Sequence, residues 1–246
     1  PILILSSIGI LFQDVRKSIA FWIIQTIGYF AWLIPNWQLI DNHKFLWGYW
    51  LIAISIHTIY QRKNIAVPLL PWAGQSLIAG CMVFAVLQKI LSPNYLSGAF
   101  FYYTVITDTR FAFLGTLFNI DFISIITENM EHIHTLKTTS ESVTLTGGPP
   151  KLKWITNTLT WYTIGIESLL AIVFMIPRKR VYHWQHWLLL TFSTLYFILP
   201  IKGFAFTLLT MGFVCINTKD TTLKSTYLGF YVYIFAIATL LKEWVL

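Results

Sequence analysis

One lysine sets the chemical question in this chain. Lys89 stands at the end of the apolar run IAVPLLPWAGQSLIAGCMVFAVLQKI (residues 65–90), and a Ser92-Pro93-Asn94 break and Gly98 follow it. A charged ammonium at the edge of hydrocarbon is costly, so it either snorkels to the lipid headgroups or is held there for a purpose. Removal from water disfavours the charged form, which makes such a lysine a candidate general base near neutral pH. Both readings stay open on spacing alone.

A second polar group lies in the loop Trp37-Gln38-Leu39-Ile40-Asp41-Asn42-His43-Lys44, just before another apolar run. Asn42 and His43 are types that can hydrogen-bond a polarised oxygen or orient a small substrate. Asp41 and Asn42 equally suit the capping of a helix start. Glu167, in WYTIGIESLLAIVFM, is an ionisable group inside an apolar stretch and is a functional candidate on that ground. It equally suits pairing with a facing donor such as His57 or Gln75, which would hold a bundle together. His57 reads best as a satisfied bundle histidine.

The remaining histidines carry weaker signals. His132-Ile133-His134, with Glu128 and Glu131 close by, hints at a metal, but metal sites need three or four converging ligands. The spacing offers no others, so a solvated loop and no metal are expected. His183 and His186 sit at a helix start among Trp184 and Trp187, which read as an interfacial aromatic belt.

What must position these residues follows from composition. The 246 residues are 56% hydrophobic, 17% aromatic and only 11% charged, with mean hydropathy +0.65. Soluble domains carry about 25% charged residues, so this chain has too little polar surface for a globule in water. An integral, all-α membrane protein is the expected class, with the lipid bilayer as its first partner. The net charge of +7 sits in short clusters between apolar segments rather than in a stripe, which argues against nucleic acid. Cys81 and Cys215 both fall in apolar segments and read as small hydrophobes, not a disulfide framework.

Hydropathy predicts a polytopic transmembrane helix bundle of about seven to eight hydrophobic helices, over residues 2–12, 18–35, 46–61, 65–90, 154–176, 183–200, 203–217 and 225–245. Arg16-Lys17, Arg62-Lys63, Arg178-Lys179-Arg180, Lys219 and Lys224 fall on one side when the spans alternate. Lys44, Lys89, Lys202 and Lys242 fall on the other, so the first group is assigned to the cytoplasm. Residues 1–246 are then a single transmembrane domain of a bacterial inner membrane or its equivalent, and 91–153 form one long extracytoplasmic segment. Asp108, Arg110, Asn119 and Asp121 interrupt the first half of that segment, which reads as one or two interfacial amphipathic helices. Its second half is polar and ends in Gly147-Gly148-Pro149-Pro150.

A family resemblance enters at these residues. Asp41-Asn42-His43-Lys44-Phe45-Leu46 resembles the Asn-Asn-His-aromatic-Leu signature of vitamin K-dependent γ-carboxylase-like proteins, the group built on the horizontally transferred transmembrane (HTTM) domain. Val67-Pro68-Leu69 through Gln75, Gln88-Lys89, Pro93-Asn94-Tyr95-Leu96 and Gly98 are similar to that family's segment in which a Gln-led helix ends in a catalytic lysine. Trp161 to Glu167, followed by Pro177, resembles its Glu-bearing helix. The likeness covers about residues 36 to 215. It implies that Lys89 is the base acting on a vitamin K-like quinol, that His43 is its partner and that Asn42 is an orienter. It also places Gln75 and Glu167 among the cofactor-binding residues.

Two functions are therefore expected. One is a quinol-binding, lyase- or oxygenase-like pocket with a lysine base. The other is a non-catalytic accessory or scaffold subunit of a larger membrane protein complex. A transporter is less favoured, because no pair of broken helices recurs at matching positions in two halves.

Overall fold

A computed structural model describes residues 13–112, 115, 120–139, 144–198 and 202–244. All regular structure among them is helical, and they contain no strand. The main helices are α1 (Ile19–Leu33), α2 (Asn42–Arg62), α3 (Leu69–Ile90), α4 (Ala99–Thr107), α5 (Phe122–Thr139), α6 (Pro150–Met175), α7 (Arg178–Ile198), α8 (Lys202–Val214) and α9 (Thr221–Trp244). Single turns stand at Gln13–Arg16 and Pro93–Leu96.

Seven of the eight expected apolar stretches coincide with a helix to within a few residues. The eighth, 2–12, lies outside the described residues. Among the described residues two helices, α3 and α6, are both long and apolar enough to cross a membrane. Helices α1 and α8 are apolar but shorter. At about 1.5 Å per residue, the 15 residues of α1 reach roughly 22 Å, against about 30 Å of hydrocarbon.

Helix boundaries follow local chemistry. Ser18 caps α1, its hydroxyl accepting from the Phe21 amide at 3.4 Å. Asp41 occupies the N-cap position of α2 in extended backbone, but its side chain makes no capping bond. The expected place of the cap is thus right and its hydrogen bond is absent. Ser92 caps the turn Pro93–Leu96 by accepting from the Tyr95 amide at 3.3 Å, with Pro93 in the position where a missing N–H costs nothing. Inside α7, Val181 departs from helical dihedrals (φ −130, ψ 21), so the regular helix begins after the basic triplet.

The Cα positions cluster into two compact units. The first holds residues 1–81, 172–190 and 203–231. Within it α1 and α2 run antiparallel: Thr26 meets Ser55 (Oγ1 to Oγ 3.0 Å), and Tyr29 donates to the Lys44 carbonyl at 2.8 Å. Tyr29, Leu33 and Leu51 form the buried seam between them. Small residues allow close approach elsewhere in this unit. A Cβ on Gly74 would come 2.8 Å from the Met211 carbonyl oxygen.

The second unit holds residues 82–171, 191–202 and 232–246. Val105, Ile106, Phe111, Phe122, Ile126 and Leu152 form its main buried cluster. Asn129 on α5 is fully buried, and its amide donates to the carbonyls of Ile106 (3.0 Å) and Thr146 (3.1 Å). Its oxygen accepts from the Thr146 amide at 2.7 Å, so one carboxamide ties α5 to the end of α4 and to residues 144–149. Tyr102 adds to this tie by accepting from the Gly148 amide at 2.8 Å. The 91–153 segment is therefore more helical than expected. His132 and His134 lie on α5 rather than in a solvated loop, because a core-facing stripe of Phe122, Ile126 and Asn129 organises a helix among polar neighbours.

Candidate functional site

Lys89 is the last basic residue of α3, and Glu167 sits deep in α6. The structure brings them together: Lys89 Nζ and Glu167 Oε1 form an ion pair and hydrogen bond within the second unit. Glu167 is only 5% exposed, whereas Lys89 keeps part of its side chain accessible. The expectation that Glu167 pairs with His57 or Gln75 is corrected by this contact. Burying a carboxylate in an apolar helix demands a counter-charge, and Lys89 supplies it.

The surroundings of the pair come from two short stretches. The Lys89 ammonium lies 5.4 Å from the ring centroid of Tyr95, within reach of a cation–π attraction. Tyr95 is buried, and its hydroxyl meets Thr163 Oγ1 at 2.8 Å, one turn before Glu167 on α6. Burial pushes the Tyr95 phenol well above its ordinary value, so it stays protonated. Thr156, Thr160, Thr163 and Glu167, at spacings of four, three and four, form one buried polar stripe on α6. Thr160 and Thr163 also bond back to the Thr156 and Thr160 carbonyls, at 2.9 Å each, which satisfies their hydroxyls inside an apolar helix.

Gly98 completes the setting. Its φ of 75 is left-handed, which lets the chain turn from Tyr95 into α4. A side chain there would also collide with the Asn157 carboxamide of α6.

One atom of this arrangement has no partner. Glu167 Oε2 is buried without a hydrogen bond among the described residues, although Oε1 is engaged. Buried acceptors are paired in the great majority of cases, so this oxygen keeps an unused capacity to accept a hydrogen bond.

The other expected site residues lie in the first unit. His43, in the first turn of α2, packs on the start of α8: its Nε2 would lie 3.1 Å from a Cβ at Gly203, and its ring centroid is 6.1 Å from that of Phe204. Burial pushes the His43 pKa down and nearby Lys44 pushes it further, while Asp41 pulls it up. Asn42 is the first residue of α2, and only its backbone is among what is described.

Gln75 donates from Nε2 to the Phe174 and Ile176 carbonyls, at 2.9 and 3.2 Å. Gln185 does the same for Val173 (2.9 Å) and Ile176 (3.3 Å). The final carbonyls of a helix have no partner within it, and these two amides serve those at the end of α6. The Gln75 amide nitrogen is thus committed to a helix end.

His57 Nδ1 is buried without a hydrogen-bond partner among the described residues, which corrects the expectation of a satisfied bundle histidine. His186 is buried and meets the Tyr227 hydroxyl at 2.9 Å, whereas His183 and Trp184 are exposed. Among the described residues no group of three or more His, Cys, Asp or Glu could hold a metal ion. The Tyr95–Thr163 support escaped sequence reading, although the four-three-four spacing of the α6 stripe was there to signal it. No family model, no curated protein and no solved structure matches the chain.

Proposed function

We propose that this chain is a multi-pass membrane protein of about seven to eight spans whose Lys89–Glu167 pair forms a proton-exchanging pocket for a quinol-type hydroxyl ligand. This is the chemistry implied by the likeness to vitamin K-dependent carboxylase-like proteins. The observation that carries it is the unpartnered, buried Oε2 of Glu167 beside the paired Lys89. That oxygen suits a hydroxyl donor on an apolar body.

The pair itself supplies the base. In this reading Lys89, held by Glu167 Oε1, is the base that takes the ligand's hydroxyl proton. The resulting ammonium then stabilises the oxygen it has deprotonated. Tyr95, braced by Thr163, holds Nζ in place. Basic loops are assigned to the cytoplasmic face and 91–153 to the outer face. The test is quinol-dependent oxygen uptake by the purified protein in nanodiscs, using reduced menadione. Lys89→Ala abolishes uptake while helicity by circular dichroism is kept; undiminished uptake in that variant sinks the proposal.

A second reading, an accessory or scaffold subunit, is favoured by one observation: the Lys89 ammonium is already engaged by both Glu167 and Tyr95, as a clamp between helices would require. It predicts that Lys89→Met/Glu167→Leu leaves co-purification of membrane partners intact after mild detergent extraction.

A further inference from the structure

Three helix connections of the first unit are tied together by side-chain hydrogen bonds. Gln75, in the second turn of α3, reaches the Phe174 and Ile176 carbonyls at the end of α6. Cys215, just past α8, donates from Sγ to the Pro71 carbonyl at 3.2 Å. Tyr182 on α7 donates to Asp220 Oδ2 at 3.2 Å and accepts from the Asn217 amide at 2.9 Å. The α2–α3, α6–α7 and α8–α9 connections therefore share one end of the unit.

That end is cationic. Residues 62–68, 176–186 and 215–224 carry seven lysines and arginines against one acid, Asp220. Asp220 is committed to the fold, since Oδ1 accepts from the Leu223 amide at 3.0 Å and Oδ2 from Tyr182. Arg62, Lys63, Lys179, Arg180 and Lys219 are exposed, and none of the five has an ion-pair partner among the described residues. Arg62 and Lys63 are fixed at the end of α2, where Asn64 turns left-handed (φ 55) and the Ile65 amide closes on the Tyr60 carbonyl at 3.1 Å. Arg180 stands two residues before Tyr182 and Lys219 directly before Asp220, so the bond between Tyr182 and Asp220 holds these two cations near each other. Like charges gathered in this way repel unless an anion accompanies them.

We propose that this end of the first unit binds the headgroup phosphate of an anionic phospholipid, with Arg180 and Lys219 as its principal cations. The inference rests on the membrane reading of the chain and not on the Lys89 chemistry.

Two features favour a lipid over an acidic protein or a nucleic acid. First, Trp72, Met175 and Trp184 belong to the same segments and are 70%, 68% and 74% exposed. A phospholipid carries phosphate and acyl chain in one molecule, which answers the cations and the adjoining apolar surface together, whereas the other two partners answer the charge alone. Second, α3 begins here at Leu69 and α6 ends here at Met175. These are the described helices long and apolar enough to cross a membrane, so the cations stand at headgroup depth.

Native mass spectrometry of the full chain, delipidated in detergent, tests this with dioleoylphosphatidylglycerol, dioleoylphosphatidylcholine and soluble polyglutamate as probes. Phosphatidylglycerol should bind about tenfold or more tightly than phosphatidylcholine, because each cation near a lipid surface contributes about fivefold. Arg180→Gln/Lys219→Gln should remove that preference at matched helicity. Lys151→Gln/Lys153→Gln, which removes the same charge at the opposite end of α6, should leave it unchanged. Equal binding of the two lipids by the parent overturns the proposal. So does an equal loss in both double variants, since the attraction then follows net charge and not a site. Polyglutamate binding that needs Arg180 and Lys219, without a lipid preference, also overturns it and assigns the surface to an acidic protein. Alkaline carbonate extraction separates the two levels of the argument. A chain released from membranes loses the membrane reading and this inference with it, whereas a chain retained there without the preference loses only the inference.

Discussion

Lys89 and Glu167, 78 residues apart, form an ion pair in which one carboxylate oxygen is engaged and the other is buried without a partner among the described residues. Taking Lys89 away strands the Glu167 carboxylate away from water, whereas taking Glu167 away leaves a lysine that still reaches water. Lys89→Ala should therefore destabilise the protein by about 3 kcal/mol or more, and Glu167→Ala by less. The double variant Lys89→Met/Glu167→Leu should recover most of that loss, because a packed apolar pair replaces a buried ionic one at little cost. Thermal unfolding in detergent checks both, and single variants as stable as the parent would show that the pair is not buried as described.

How much of this was legible in the sequence depends on the range of the interaction. Helices α3 and α6 were readable because their apolar runs are long and nearly free of charge, and even the weaker α1 and α8 declared themselves by hydropathy. Lys89 and Glu167 stood out because ionisable types are rare in such runs, and His43 stood out through the polar motif around it. Their partners did not stand out. Nothing local tells Glu167 to choose Lys89 over Gln75, and nothing near Gln75 announces that its amide will serve carbonyls at residues 174 and 176. His132 and His134 were misplaced for the opposite reason: the polar character of residues 127–139 outweighed a core stripe that becomes visible only when α5 packs on Val105 and Ile106.

Gly98 is the tightest backbone position in the site. Its positive φ disfavours any side chain, and a Cβ would run into Asn157. Gly98→Ala should cost about 2 kcal/mol and displace Tyr95 from the Lys89 ammonium. Thermal melts of Gly98→Ala and of Gly98→Ala/Asn157→Gly separate the two contributions. The second substitution should relieve the collision and leave the backbone strain.

Asn129 should be the most sensitive polar residue outside the ion pair. Asn129→Leu removes three hydrogen bonds and leaves the Ile106 carbonyl and both backbone groups of Thr146 without their side-chain partner. The expected loss is about 3 kcal/mol, with early proteolytic cleavage near residues 144–149. Limited proteolysis against the parent, at matched helicity, reads this directly. Equal cleavage rates would mean that Tyr102 and His132 hold the segment without it.

His43 gives the fold a pH dependence of defined sign. Burial against Gly203 and Phe204 holds its folded pKa below the ordinary value near 6.5, so over the window just below that value the unfolded chain binds more protons. Stability contributed by the neutral imidazole is therefore fully present above about pH 6.5 and is lost as pH falls toward the folded pKa. The thermal midpoint should drop between pH 7.5 and pH 5, each about a unit or more from the ordinary histidine value. His43→Asn, which cannot titrate, should flatten that slope even where it lowers the midpoint at neutral pH. Parallel slopes in parent and variant would assign the dependence to another group, and a midpoint that rises on acidification would mean that the imidazole of His43 prefers its charged form in the folded state.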